Sequence, residues 1–526
     1  MTRSKSSAQT DLFSRLEELL SSQPSAAGSS PCSASTLLVE LGTPSVSIAV
    51  LDKGEIHSRC ITSLYDNELT RFQSGSISKA IASLAVFKLI ELGKLSLHGS
   101  IAQYLPTSLM RQLETAHTAG LSQHITIAQL LSHTSGLEPD GVFGFPGYEE
   151  SSSDGETGLP DLRTIIAGEA PCNTLRIKLA DYPGHRFSYS GGGLTVLQMI
   201  VEQVLGKPFS TVMREYLFDS LEMTRSTFEP PGPGDINGLE PFDHKGEGNY
   251  ARPYYSGHKP CETTHRVNPE QAAAGLWSTP EDLLKAGRAI LRSLNGEPDA
   301  FLNQALARTM LTEVQNGVAH SWFVAREPPW QVFRHAGSNM PGWRCHLICF
   351  ANDTGSASPK KTYTHQDAAV PGEGCGIAIM TNSVEGVATY SKVLFAACYL
   401  LGWPAPPKPR EGSDIVVPFA DTHTKVDPQW IGWEGHWDGG WELFEGQDGA
   451  PFARLRGMAA VSLYVAARPR SMAEMAKPRG ERSVDLVCSG LEIMFRLMTD
   501  GRERVIEIWH GGQRDRRRLQ RADIPN

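Results

Sequence analysis

A serine placed three residues before a lysine can form an acylating pair, because the amine, once uncharged, can take the hydroxyl proton while the oxygen attacks a carbonyl. The pattern S-x-x-K occurs at Ser76 to Lys79, Ser256 to Lys259 and Ser358 to Lys361. The second and third lie in stretches crowded with Pro and Gly, where the two side chains have no fixed relation. The first opens the segment SISKAIASLAVFKLIELGKL, which is apolar on nearly every side from Ile77 to Leu92 and ends at Gly93. This predicts a buried helix with Ser76 at its start and Lys79 one turn on, on the same face. There the hydroxyl meets the free backbone N–H groups of the first turn, and the apolar walls lower the affinity of the amine for a proton. The segment equally allows Ser76 to be a plain N-cap, with Lys79 reaching along the surface to water.

The surrounding elements are legible by period and punctuation. Val46, Ile48 and Val50 alternate ahead of Asp52-Lys53-Gly54 and Ile56, which predicts a β-hairpin. ITIAQLLSHTSGL reads as a short helix begun by Thr126, with His133 bracing the turn that follows, and GGLTVLQMIVEQVLGKP as a longer helix closed by Gly206. In STPEDLLKAGRAIL, Thr279 caps, Pro280 takes the first helical position, and Glu281 and Asp282 complement the dipole. CHLICF from Cys345 and GIAIMTN from Gly376 read as strands, and Val387 to Leu401 as a last helix before the proline-rich PAPPKP. Strands and helices in this order predict an α+β fold rather than repeated βαβ units. Beyond the prolines, about eight short alternating segments rich in Trp predict a small sheet or barrel, with RDRRRLQR as a solvated edge strand.

Composition removes other classes. The 526 residues carry 49 basic and 58 acidic side chains, a net charge of −9, so no global basic field favours nucleic acid. The nine cysteines include no C-x-x-C pair, and the sixteen histidines show no ligand spacing, so neither a metal nor a cofactor is expected. There is no G-x-S-x-G, H-E-x-x-H, P-loop or G-x-G-x-x-G motif. The start lacks the apolar core of a signal peptide, and no uncharged apolar run reaches about 18 residues, so a soluble cytoplasmic protein without membrane contact is expected.

Several stretches, in order over residues 40–402, resemble the serine β-lactamase family in its broad sense: class C β-lactamases, DD-peptidase penicillin-binding proteins, family VIII esterases, D-aminopeptidases and the fungal acyltransferase of lovastatin synthesis. They are FQSGSISKAIASLAVFKLIELGKLSL, ITIAQLLSHTSGL, YPGHRFSYSGGGLTVLQMIVEQVLGKPF with LEMTRSTF, AAAGLWSTPEDLLKAGRAIL, and RHAGSNMPGWRCHLICF followed by GIAIMTN. The resemblance implies the β-lactamase/transpeptidase-like fold, an antiparallel sheet flanked by helices with a helical subdomain. It makes Ser76 the nucleophile and Lys79 its assistant. FSYSGG matches the Tyr-x-Asn motif, so Tyr189 becomes the proton-shuttling phenol, and His335-Ala336-Gly337 matches the third motif on a strand edging the site. The backbone N–H groups of Ser76 and Ser338 would form the oxyanion hole. Two departures stand out: Gly191 replaces the Asn of the second motif, and His335 replaces the commoner Lys, exchanging a fixed charge for one expected to titrate near pH 6 to 7. His335, Gly337, Gly191 and Trp343 are the expected substrate contacts, although core packing explains Trp343 as well. Tyr65-Asp66-Asn67, His244-Lys245-Gly246 and His510-Gly511-Gly512 are competing literal matches without matching neighbours.

The expected domains are a mobile arm over 1–35, a catalytic domain over 36–402, a linker over 403–414 and a β-rich domain over 415–526. The expected function is serine-dependent acyl transfer, as hydrolysis of a small-molecule ester or amide. The alternatives are transfer to an alcohol or amine acceptor, and a binding protein that keeps the fold without the chemistry. The loops from Glu138 to Pro183 and Glu229 to Pro269 are expected to form the rim, and the partner is a small ester, amide or acyl donor.

Overall fold

A computed structural model describes residues 5–22, 38, 42–138, 147–148, 159–232, 235–236, 249–255, 258–327, 330–352, 372–404 and 406, and nearer the C-terminus 433–437, 441–446, 451–455, 461–465, 484–488, 493–500, 503–510 and 513–518. Ser256, Ser358, His244-Lys245-Gly246, most of the linker and parts of both expected rim loops lie outside these. The chain divides into two compact units, Met1–Pro407 and Lys408–Asn526.

The first unit is built on a six-stranded antiparallel sheet. Its strands are β1 (Ser45–Asp52), β2 (Glu55–Thr62), β3 (Phe323–Glu327), β4 (Trp330–Asn339), β5 (Trp343–Asn352) and β6 (Cys375–Thr381), in the order β2-β1-β6-β5-β4-β3. The period of two sorts their side chains onto opposite faces. Ala49, Leu51, Leu347, Cys349, Ala378 and Met380 enter one core, whereas Val46, Ile48, Val50, Ile348, Ile377 and Ile379 enter another. Helices cover both faces, so the central strands β1, β6 and β5 are buried along nearly their whole length.

Helix α1 (Lys5–Ser22) corrects the expectation of a mobile start. Phe13, Leu16 and Leu20 recur at helical spacing and are buried in the second core, together with Val393, Leu394 and Ala397 of the helix Gly386–Leu401. The remaining helices follow the expected caps. Helix α2 (Ile77–Glu91) is buried along nearly its whole length. Helix α3 (Ile127–Leu131) starts with a capping box, Thr126 with Gln129. Helix α4 (Gly191–Leu205) begins at Ser190, whose Oγ accepts the Gly193 N–H, and ends on left-handed Gly206. Helix α5 (Gln271–Ala274) is a single turn, and helix α6 (Pro280–Leu294) is capped by the Thr279 hydroxyl accepting from the Asp282 N–H.

Strand β4 was expected only through the third motif, as a strand edging the site, and it is what positions the site. It pairs with β5 along its whole length but with β3 only as far as Arg334. The stretch from His335 to Asn339 therefore has its second side open to the turn that begins α2. A Cβ on Gly337 would stand 1.9 Å from the Ser74 carbonyl oxygen, and one on Gly75, at φ +51°, would stand 2.5 Å from the Ser338 nitrogen. Only glycine allows this backbone contact.

The second unit is an eight-stranded antiparallel sheet in which each strand pairs with the next in sequence, from Gly435–Trp437 to the edge strand Gln513–Arg518. Buried Trp437, Trp441, Leu443, Phe495 and Leu497 give it a core of its own.

Candidate active site

Ser76 precedes α2 with helical backbone angles, and its side chain makes no capping hydrogen bond. Its Oγ is instead 3.0 Å from the Lys79 Nζ and lies close enough to the Tyr189 phenol to act on it. Lys79 is 3% exposed, so it does not reach the surface, and its Nζ donates to the Ala273 carbonyl at 2.8 Å. Burial brings its pKa down to about 7. Burial also pushes the Tyr189 phenol upward, against the Ser76 hydrogen bond. Of the two groups on Ser76, the amine is the one able to be unprotonated near neutrality, and the phenol keeps its proton.

The turn at Ser76 is held from below. The Ser74 N–H donates to the Leu276 carbonyl at 2.8 Å, and the Leu276 N–H donates to the Ser78 Oγ at 3.0 Å. The Asn339 side-chain amide donates to both Gln73 Oε1 and the Ala274 carbonyl at 3.0 Å. These contacts tie β4, α2 and α5 around one point. They also bring the Ser338 main chain against the Gly75-Ser76 turn.

His335 is 2% exposed, and its Nδ1 lies 2.6 Å from the Ala336 carbonyl, which can only accept. Its pKa is pushed down to about 3, by burial first and by the Lys79 charge second, against the raising effect of that hydrogen bond. The expectation of a charge titrating near neutral pH is therefore corrected: the ring is neutral. Tyr189 lies among aromatic rings, with His133 at 4.5 Å, Phe323 stacked at 6.4 Å and His335 at 6.4 Å between centroids, and the Lys79 Nζ is 4.9 Å from its ring centre.

Three of the expected substrate contacts are buried. Trp343 is 0% exposed and packs edge-on against Phe72 and Trp277 at 6.2 and 5.4 Å, so it belongs to the core. Gly191 is buried in the first turn of α4, where its carbonyl accepts from Thr195 Oγ1. Gly337 is covered by Ser74. The sequence reading missed the Ala273 carbonyl, whose role leaves no trace in the residue type. It also missed Phe323 and the approach of His133 to Tyr189. A cavity of about 340 Å3 lined by residues including Gln73, Gln198, Glu202, Asn268, Gln271 and Trp277 takes in none of Ser76, Lys79, Tyr189 and His335. No group of three or more metal-ligating side chains occurs among the described residues, and no helix among them is long and apolar enough to cross a membrane.

An antiparallel sheet between helical layers, with a serine-lysine pair at the head of a buried helix and a tyrosine beside the serine, defines a class of protein that the comparisons specify. The Beta-lactamase family profile matches residues 33–394, and the chain belongs to that family. It is 26% identical over 196 residues to Protein flp of Staphylococcus aureus (strain MW2), across 37% of this chain and 34% of that protein. It is 27% identical over 200 residues to Penicillin-binding protein 4 of Amycolatopsis lactamdurans, across 37% of this chain and 47% of that protein. The chain thus spans about a third of the length of the first of these relatives and about half of the second. The crystal structure of SurE superposes with a TM-score of 0.54 at 17% identity, over 97% of this chain and 99% of that one, a likeness of fold.

Proposed function

We propose that the protein is a serine hydrolase that cleaves a small-molecule ester or amide through an acyl intermediate on Ser76. The observation that carries this reading is the meeting of the Ser76 Oγ with a buried lysine amine at 3.0 Å and, beside them, the half-buried Tyr189 phenol at the head of α2. In this reading the uncharged Lys79 takes the Ser76 proton as Oγ bonds to the carbonyl carbon. The backbone N–H groups of Ser76 and Ser338 hold the developing oxyanion. Tyr189, kept protonated by burial, then gives its proton to the leaving oxygen or nitrogen and is reprotonated from Lys79. Water attacks the acyl-serine by the same route in reverse, which returns the free acid and the starting proton balance.

Gly191 leaves Lys79 without a side-chain amide from the second motif. The Ala273 carbonyl supplies an acceptor in its place, which favours an active enzyme over a binding protein that has lost the chemistry. With His335 neutral, that motif offers no cation to a substrate carboxylate, which disfavours β-lactams. Incubation with a p-nitrophenyl ester tests the reading. Ser76→Ala should abolish both turnover and fluorophosphonate labelling, and a variant that still labels and turns over would refute it. Release that accelerates on adding an alcohol or amine acceptor would mark a transacylase instead.

A further inference from the structure

His133 is 1% exposed and stands just past the C-terminal end of α3, at φ +58°. It grips the chain on both sides of Tyr189. Its carbonyl accepts the Ser188 N–H at 2.8 Å, and its Nδ1 accepts the Ser190 N–H at 3.1 Å. Its ring lies 4.5 Å from that of Tyr189, with the planes at 33°, and Phe187 meets its edge at 6.1 Å.

A backbone N–H can only donate, so Nδ1 must carry a lone pair, and in the neutral ring the proton is on Nε2. That Nε2 is buried and has no hydrogen-bond partner among the described residues. The grip is therefore available to one protonation state and one tautomer. Burial, aided by the nearby Lys79 and His335, holds the ring well below the usual imidazole range and so keeps it in that state. His133 is itself anchored: the Thr134 N–H donates to the Gln129 carbonyl at 3.0 Å, and Ser321 Oγ donates to the Leu131 carbonyl at 2.9 Å.

We propose that His133 is the positioning residue for Tyr189, holding the phenol toward Ser76 by bonding the peptide groups on either side of it and packing against its ring. The proposal rests on the reading of Tyr189 as the proton shuttle. It predicts that His133 acts through Tyr189 and not through general stability. A misplacement of about 1 Å of a proton-transfer group can cost about 10²-fold in rate.

The test is a double-mutant cycle on p-nitrophenyl butyrate hydrolysis, with thermal unfolding of each variant as a check of fold. His133→Phe keeps a ring and loses the acceptor, and should lower kcat by about 10²-fold with KM changed by less than about 3-fold. His133→Asn offers an amide oxygen to the Ser190 N–H and tolerates positive φ, and should retain kcat within about 10-fold. In a Tyr189→Phe background, His133→Phe should change the residual rate by less than about 3-fold. If the Phe variant does not fold, His133→Ala takes its place in the same cycle. Equal losses in the wild-type and Tyr189→Phe backgrounds would overturn the proposal while leaving the shuttle reading intact, and so would an Asn variant as damaged as the Phe one. A Tyr189→Phe enzyme with wild-type turnover would remove the shuttle reading, and the role of His133 with it.

Discussion

The Ser76 hydroxyl has two partners that differ in what burial does to them, and this difference separates their roles. Burial lowers the Lys79 amine to about 7 and raises the Tyr189 phenol, so in the proposed mechanism the first serves as base and the second as proton carrier. The acylation rate at low substrate should then rise with pH through about 7 as Lys79 loses its proton, measured as kcat/KM against pH. His335, pushed down to about 3, should add no limb between pH 5 and 8, and His335→Gln should leave the midpoint where it is. A midpoint that moves in this variant would return His335 to the titrating role first expected of it. Lys79→Arg, which stays cationic, should lose about 10²- to 10⁴-fold, and Tyr189→Phe a comparable factor. At this scale the sequence told much, because the roles proposed for Ser76, Lys79 and Tyr189 rest on their side chains. It did not tell what holds them: the Ala273 carbonyl is a backbone group, and the contact of His133 with Tyr189 joins positions far apart in the chain.

The elements transmit this order through backbone contacts. Because the Ser74 carbonyl stands where a Cβ on Gly337 would fall, Gly337→Ala should force β4 from the α2 turn and lower both stability and acylation, measured by unfolding midpoint and by labelling of Ser76. An unchanged labelling rate would show that the contact does not set the nucleophile. Glu270 precedes α5, the turn whose Ala273 carbonyl holds Lys79. It is 0% exposed, and neither carboxyl oxygen has a hydrogen-bond partner among the described residues. Burial raises its pKa to about 8, so the folded state binds a proton that the unfolded state has released above the ordinary carboxylate range. Its contribution is therefore fully present below about pH 4.5 and is lost as pH rises toward about 8. Glu270→Gln should stabilise the protein at pH 8, by an amount on the order of a few kcal/mol in denaturant melts, and little at pH 5. Equal effects at both pH values would contradict this. Helices α2, α4 and α6 were legible because their caps and apolar runs are local. Strand β4 was legible only through its motif and not in its extent or pairing, since these depend on β5 and on a turn far away in sequence.

The whole molecule keeps its candidate chemistry within one unit. Ser76, Lys79, Tyr189, Ala273, His335 and Ser338 all fall within Met1–Pro407, while the eight-stranded unit has a separate core. A chain ending at Pro407 should therefore fold and still label at Ser76, and loss of cooperative unfolding in that chain would contradict the division. The β-rich character of the second unit was legible from alternation and turn residues. The docking of α1 was not, because a short apolar stripe in a polar stretch is a weak signal until the helix that receives it is known. The central claim is that Ser76 carries an acyl group, and intact-protein mass spectrometry after incubation with activated esters, thioesters and β-lactams tests it most directly. The account predicts one adduct of acyl mass on the wild-type chain, mapped to Ser76 and absent from Ser76→Ala. An adduct of the same stoichiometry on Ser76→Ala would contradict it.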